Sequence, residues 1–317
     1  MRLSAVMIAG PIRERAELCL SRLLAQTAIE DMEIIVVDLA AGPPLQGAGH
    51  ELVRYVRLPE TTSYSVGQAE CARQAKGEII AYIEDHCYPS PGWAASILKA
   101  FEDETVSIVA YGFLNYNPGK YLARAFFLTE YGRWACPAKP GPIPIPSCNN
   151  VAYRRADLDP FLPELDALFD AEFVMQRRIL AKGGKAWLEP SAQAAHENWE
   201  SLDSGLFCNH SHRRMNAARR AEASGWNLAQ RVFFAGAMTV TPLLHLGRLA
   251  FALRNRPSLW LPYIAALPVS TLIYSATAYA EIEGFLFGPG SSHKGFLAAE
   301  LGAQRAARES RSGEGAD

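Results

Sequence analysis

Glu84-Asp85-His86 sets three metal-ligating side chains in a row, directly after the apolar run Ile79-Ile-Ala-Tyr-Ile83. A divalent cation held at such a strand-to-loop turn clamps a diphosphate and neutralises the charge that develops on a leaving group. Carboxylate oxygens suit Mg2+, and the imidazole of His86 moves the preference towards Mn2+. The competing reading is a solvated turn whose acids cap the helix beginning near Pro91. A second carboxylate, Asp38, closes the β-branched run Met32-Glu-Ile-Ile-Val-Val-Asp38. Two acidic strand ends facing one crevice make a stronger signal than either alone.

The elements around these acids alternate. Leu3–Ala9 is a short apolar run closed by Gly10-Pro11, which predicts a buried strand. Leu18, Leu20, Leu23 and Leu24 recur at helical spacing within 14–27. A strand over 32–38, a helix over 64–76 and a strand over 78–83 come next. This β-α-β-α-β rhythm predicts a mostly parallel, Rossmann-like sheet flanked by helices, with ligands beyond the carboxyl ends of its strands. Residues 136–147, CPAKPGPIPIPS, place five prolines in twelve positions and predict an extended loop. A helix is expected over about 170–182, ended by Gly183-Gly184, with a short strand over 185–188.

The chain of 317 residues is 49% apolar, and 31 Lys+Arg against 33 Asp+Glu leave a formal charge of −2. That excludes a disordered chain and argues against a nucleic-acid partner, which demands a basic excess. Six cysteines with no C-x-x-C spacing fit a reduced cytosol, and no secretory signal is read at the N-terminus. The averages conceal a change of character after Arg231. Residues 232–247 and 257–280 carry no Asp, Glu, Lys or Arg; Arg213, Arg214, Arg219, Arg220 and Arg231 precede the first, Arg248, Arg254 and Arg256 separate the two, and Lys294 follows the second. Basic flanks belong on the cytoplasmic side, so the two segments are expected in the membrane interface as kinked or re-entrant helices. The alternative is a helical subdomain whose apolar face packs on the catalytic domain or on a second protomer.

Five ordered segments resemble family-2 glycosyltransferases of the nucleotide-diphospho-sugar transferase fold, over about residues 3–200. RAELCLSRLLAQT (15–27) with EIIVVD (33–38) is similar to the first β-α-β unit, and AKGEIIAYIEDH (75–86) to the approach to the D-x-D metal motif. PSPGW (89–93) is similar to the segment just beyond that motif. SCNNVAYRR (147–155) is similar to the acceptor loop, and LFDAEFVMQRRILAKGGKAWLEPSAQAAH (168–196) to the segment with the base, a Gly turn and a final His. The resemblance implies an inverting, metal-dependent transfer of a hexosyl or related sugar from a nucleotide-diphosphate donor to an acceptor hydroxyl. It implies a divalent cation, Mn2+ or Mg2+, at Glu84, Asp85 and His86, with His196 joining them or serving as a core histidine. Asp170 is expected to be the base, with Glu172 as the second candidate. Asp38 is expected to bind the nucleotide, Pro11 and Arg13 to line its pocket, and Asn150 to contact donor or acceptor. Gln68 stands where many members carry a diphosphate-binding Arg. Arg213 and Arg214 are candidates for the diphosphate, beside His210, His212, Arg219 and Arg220; the competing reading is a basic, membrane-facing surface. Trp134 is the aromatic candidate for a sugar platform.

These readings divide the chain into a catalytic domain (1–230), an apolar helical segment (231–290) and a flexible tail (291–317). They place it at the cytoplasmic face of the membrane, with a lipid-linked or cell-surface polysaccharide acceptor. A non-catalytic membrane adaptor that keeps the fold is the alternative from another class. A nucleotidyltransferase fits less well, because AGPIRER (9–15) has a single Gly where a phosphate loop needs more.

Overall fold

The computed structural model describes residues 2–302. Strands β1 (Leu3–Ala9) and β2 (Met32–Asp38) are buried at all seven positions each, as parallel strands covered on both faces require. Helix α1 (Arg13–Leu24) joins them and buries Ala16, Cys19, Leu20 and Leu23. Strand β3 (Val53–Arg57) adds a parallel edge to β2; it is only half-buried and lacks the uninterrupted apolar run that marks its neighbours. Helix α2 (Tyr64–Gln74), whose first turn is capped by Ser63 accepting from the Val66 N–H, leads into β4 (Ile79–Glu84), parallel to β1. Then come β5 (Cys87–Pro89), α3 (Trp93–Ala100), β6 (Val106–Asn115), α4 (Tyr121–Tyr131), β7 (Gly141–Pro142) and β8 (Val151–Arg154). Short helices α5 (Arg155–Leu158) and α6 (Leu165–Leu168) precede a 3-10 turn at Phe169–Ala171, α7 (Glu172–Ala181) and β9 (Lys185–His196).

The strands lie in the order β3-β2-β1-β4-β8-β6-β9-β5, with β7 on β9. The expected parallel sheet is the half β3-β2-β1-β4; β8 runs antiparallel to both β4 and β6, which makes the whole sheet mixed. Two apolar layers cover its faces, one carrying α1, α3 and α4 and the other α2, α6 and α7. The proline-rich stretch is extended as expected, but Gly141 and Pro142 also pair with Leu188 and Trp187. The strand expected over 185–188 runs twelve residues instead, to His196. It passes Pro190 through a register shift opposite Tyr111 and Gly112. A Cβ at position 112 would meet the Pro190 carbonyl at 2.6 Å, so this close approach needs glycine.

Five helices complete the chain's described part: α8 (Leu202–Ala223), α9 (Leu228–Met238), α10 (Thr241–Leu253), α11 (Trp260–Phe287) and α12 (Ser292–Glu300). The first uncharged stretch is bent, α9 and α10 meeting at 57°. The second is one continuous helix through Pro268. Pro257–Phe287 is long and apolar enough to cross a membrane, with a mean hydropathy of 1.4, and a third (33%) of that apolar window is buried. The buried side of α11 packs on α4 and α8: Thr129 and Ser270 hydroxyls meet at 2.7 Å, and Tyr274 donates to the Thr129 carbonyl at 3.0 Å.

The tail expected over 291–317 is ordered in its described part. Residues 292–300 are helical, because Phe296 and Ala299 find an apolar seat against α2, the Phe296 ring meeting that of Tyr64 at 5.5 Å. The rest of that expectation, 303–317, lies outside the described residues.

Candidate active site

Register brings the acids and histidines together. Glu84 ends β4 opposite Ile8 at the carboxyl edge of the parallel half. His196 ends β9 and pairs with Cys87 of β5, which sets it beside His86, the ring centres 4.8 Å apart. One ligand atom from each of Glu84, His86 and His196 lies within 4.8 Å of the others. His196 Nε2 is 3.3 Å and His86 Nε2 4.0 Å from Glu84 Oε2.

The other nitrogens of both rings are held from behind. His86 Nδ1 faces Asp85 Oδ1 and Arg15, both at 3.0 Å, and His196 Nδ1 faces Asn198 Oδ1 at 3.0 Å. Both rings therefore aim Nε2 at Glu84, an arrangement that orients imidazoles at metal centres. Asp85 does not join the cluster. It turns away, accepting from Arg15 at 2.6 Å and from the Gly10 N–H at 3.2 Å. Burial works against the Glu84 carboxylate, but His196 and His86 hold it well below the usual range. Burial and the Arg15 charge push His86 down, favouring the neutral ring that ligates metals.

Two asparagines ahead of β8 bind Glu84 directly. β8 pairs Val151 with Tyr82, so the two preceding residues arrive alongside Ile83 and Glu84. Asn149 Nδ2 donates to Glu84 Oε1 at 2.8 Å, and Asn150 Nδ2 donates to Glu84 Oε2 while its oxygen accepts from the Glu84 N–H at 2.9 Å. Asn149 adopts φ 62°, a left-handed conformation that asparagine tolerates better than most residues. Its own N–H donates to Glu172 at 2.7 Å, and Gln68 donates to its side-chain oxygen at 3.3 Å.

The two base candidates stand apart. Glu172 lies behind the 147–149 loop, accepting from Tyr153 at 2.5 Å, and burial pushes its carboxyl up to about 7 against the pull of these hydrogen bonds. Asp170 sits a turn away against Arg219 at 3.0 Å and His293 at 3.4 Å, and burial raises it despite both partners.

At the other strand end Asp38 is fully enclosed. It accepts from Arg13 at 2.8 and 3.1 Å, from Arg57 at 3.0 Å, from the Ala40 N–H at 3.1 Å and from Tyr55. Those five donors use every acceptor position of a carboxylate. Burial opposes its charge, yet Arg13 and Tyr55 keep it low. Pro11 is half-buried at the turn before α1.

A cavity of about 460 Å³ opens between the Glu84 cluster and the C-terminal helices. Trp134, Arg213 and Arg220 line it; Arg214 does not, and donates to the Gly288 carbonyl at 3.0 Å instead. His210 is paired with Glu283 at 2.7 Å. Sequence reasoning missed Glu130, Tyr131, Arg133, Arg248 and Glu300, all on the cavity wall. Tyr131 donates to Glu84 at 3.3 Å. Glu300 comes within 3.6 Å of His86, and burial together with Glu84 pushes its carboxyl well up. None of the five sits in a motif; only folding gathers them.

Residues 13–160, just under half of the chain, match the sequence model of the family described as Glycosyl transferase family 2. The fold is similar to that of the mannosyltransferase PcManGT from Pyrobaculum calidifontis in complex with GDP-Man and Mn2+, at 16% identity and a TM-score of 0.52, covering 92% of this chain and 87% of that one. It is also similar to S. aureus TarS 1-349, at 12% identity and a TM-score of 0.50, covering 93% and 92%. No curated protein matches the sequence.

Proposed function

We propose that the chain is an inverting glycosyltransferase, moving a hexosyl or related sugar from a nucleoside-diphosphate donor to a hydroxyl of a lipid-linked or cell-surface glycan acceptor. The convergence of Glu84, His86 and His196 on the cavity carries this reading. One carboxylate and two imidazoles form a donor set that suits Mn2+ better than Mg2+. These three residues would hold the cation, which would supply charge neutralisation to the departing diphosphate. Asp85, Arg15 and Asn198 keep the rings aimed. Asp38 is spent on Arg13, Tyr55 and Arg57, so its part is to shape a charged wall beside the nucleotide.

Inversion requires the acceptor oxygen to approach from the face opposite the leaving group while a carboxylate takes its proton. Glu172 is the better placed of the two candidates. Asn149 links it to Glu84, and a pKa near 7 suits a base at neutral pH. Asp170 is engaged by Arg219 and His293.

The C-terminal helices support docking on the cytoplasmic membrane face. Leu228, Phe233, Leu243, Phe251 and Leu261 are each at least 65% exposed on α9, α10 and α11, an apolar surface that belongs against lipid or another chain.

A thermal-shift panel of UDP-, GDP-, CDP- and dTDP-sugars with and without Mn2+ tests the reading. One donor should stabilise the protein in a Mn2+-dependent manner, and Glu84→Gln should abolish that shift and lower transfer about 100- to 1000-fold. No shift with any donor identifies the non-catalytic adaptor instead.

A further inference from the structure

The cavity has two chemically different ends. At the far end from β1 and β2, Arg133 after α4, Arg213 on α8 and Arg248 on α10 line the same wall. Among the described residues, none of these three guanidinium groups has a side-chain hydrogen bond or an ion pair, and the Nε of Arg213 is buried without any partner. Burial pushes Arg133 down, and the charges of Arg248 and Arg213 push it further. Desolvation and the Arg213 charge push the half-buried His212 down to about 3, which keeps it neutral. The acids on this wall offset little of the charge. Glu281 faces Arg220 at 4.0 Å, and Glu130, raised by burial against the pull of the His196 and Arg213 charges, forms no ion pair with the three arginines. Three gathered cations, Arg133 and Arg213 half-buried and Arg248 exposed, that repel one another and form no ion pair among the described residues make a site completed by a multivalent anion.

We propose that Arg133, Arg213 and Arg248 bind a phosphate carried by the acceptor, separate from the nucleotide diphosphate of the donor. The inference rests on the transferase reading, which already places the donor diphosphate at the Glu84 cluster. The acceptor it names is a phosphate ester of a long-chain alcohol. The chain half of that assignment comes from α10, which carries Arg248 and His245 on the cavity wall and exposes Leu243 at 74%, Leu244 at 50% and Phe251 at 65%. A headgroup in the cage would leave its hydrocarbon to run over this apolar face, where a membrane would meet it.

The test uses the full chain and vesicles of zwitterionic phospholipid doped with a long-chain monoalkyl phosphate, or with the parent alcohol. Short-chain butyl phosphate serves as the soluble arm. Wild type should prefer the phosphate vesicles by about tenfold or more, equivalent to about 1.4 kcal/mol. Arg133→Gln/Arg213→Gln should lose that preference and keep the Mn2+-dependent nucleotide shift, while Arg213→Lys should retain part of it. Equal binding to both vesicles, or a double variant that still discriminates, overturns the proposal. Simultaneous loss of the nucleotide shift overturns it too, by assigning the arginines to the donor. Butyl phosphate binding as tightly as the vesicles overturns the lipid source and leaves a soluble phosphorylated acceptor. If wild type selects phosphate vesicles but responds to no nucleotide, the transferase reading fails while the anion site stands.

Discussion

Charge is handled in opposite ways at the carboxyl edge of the sheet and on the cavity wall beneath the C-terminal helices. On the sheet side, Asp38 and Asp85 are buried and fully engaged, by Arg13 and Arg57 in one case and Arg15 in the other. On the helical side, Arg133, Arg213 and Arg248 share a cavity wall with no such partners among the described residues. A buried charge that is satisfied internally fixes geometry; a half-buried or exposed one left unpaired, as these arginines are, is available to a ligand. Removing a residue from the first region should therefore cost stability, and from the second should cost binding.

The largest effect should come from Arg15→Met. It strands Asp85 in a buried position and releases His86, and breaking a buried pair of this kind costs about 3–5 kcal/mol. Urea unfolding measures it, and a loss below about 1 kcal/mol would place Arg15 with the unpaired arginines and dissolve the contrast.

Glu172 gives the next effect, through pH. Its folded pKa of about 7 lies above the ordinary 4.5, so the folded state holds its proton where the unfolded state has released it. The contribution is fully present below pH 4.5 and is lost as pH rises through 7. Its size is about 2–4 kcal/mol, from about 1.4 kcal/mol per unit. Glu172→Gln should flatten that slope in urea melts at pH 5 and pH 8. In the active enzyme, transfer should rise with pH through about 7 if Glu172 takes the proton, and Asp170→Asn should leave that limb in place.

The smallest effect on stability should be that of Arg213→Gln, within about 0.5 kcal/mol or slightly favourable, because it relieves repulsion and breaks no ion pair. A loss as large as that of Arg15→Met would mean Arg213 braces the fold.

Features set by local interactions are legible in the sequence, and those set by distant contacts are not. β1 and β2 are visible to the residue because an uninterrupted apolar run ending in Gly-Pro or Asp has few other uses. Glu84, His86 and His196 are visible as ligand types, but not which of them meet. Asp85 differs from its neighbours only in the direction of its side chain, which the strand pleat and Arg15 decide. The full length of β9 is hidden because Pro190 reads as a stop, and only the glycine opposite it allows the strand to continue. Arg133 and Arg248 lie far apart in sequence, on a wall that exists only once α10 folds back against α11 and α4. The polar stretch around Glu300 resembles a tail until Phe296 is seen against Tyr64.

β8 sets the order in which the molecule assembles. The ladder β3-β2-β1-β4 closes from segments that succeed one another along the chain, whereas β8 must insert between β4 and β6, far upstream of it. Loop closure over that distance slows folding. The Glu84 cluster, with Asn149 and Asn150 against it, should then be completed late, on a scaffold that has already formed. Pulse-labelled hydrogen exchange during refolding should protect β1 and β2 amides before those of Val151–Arg154, and simultaneous protection would refute that order.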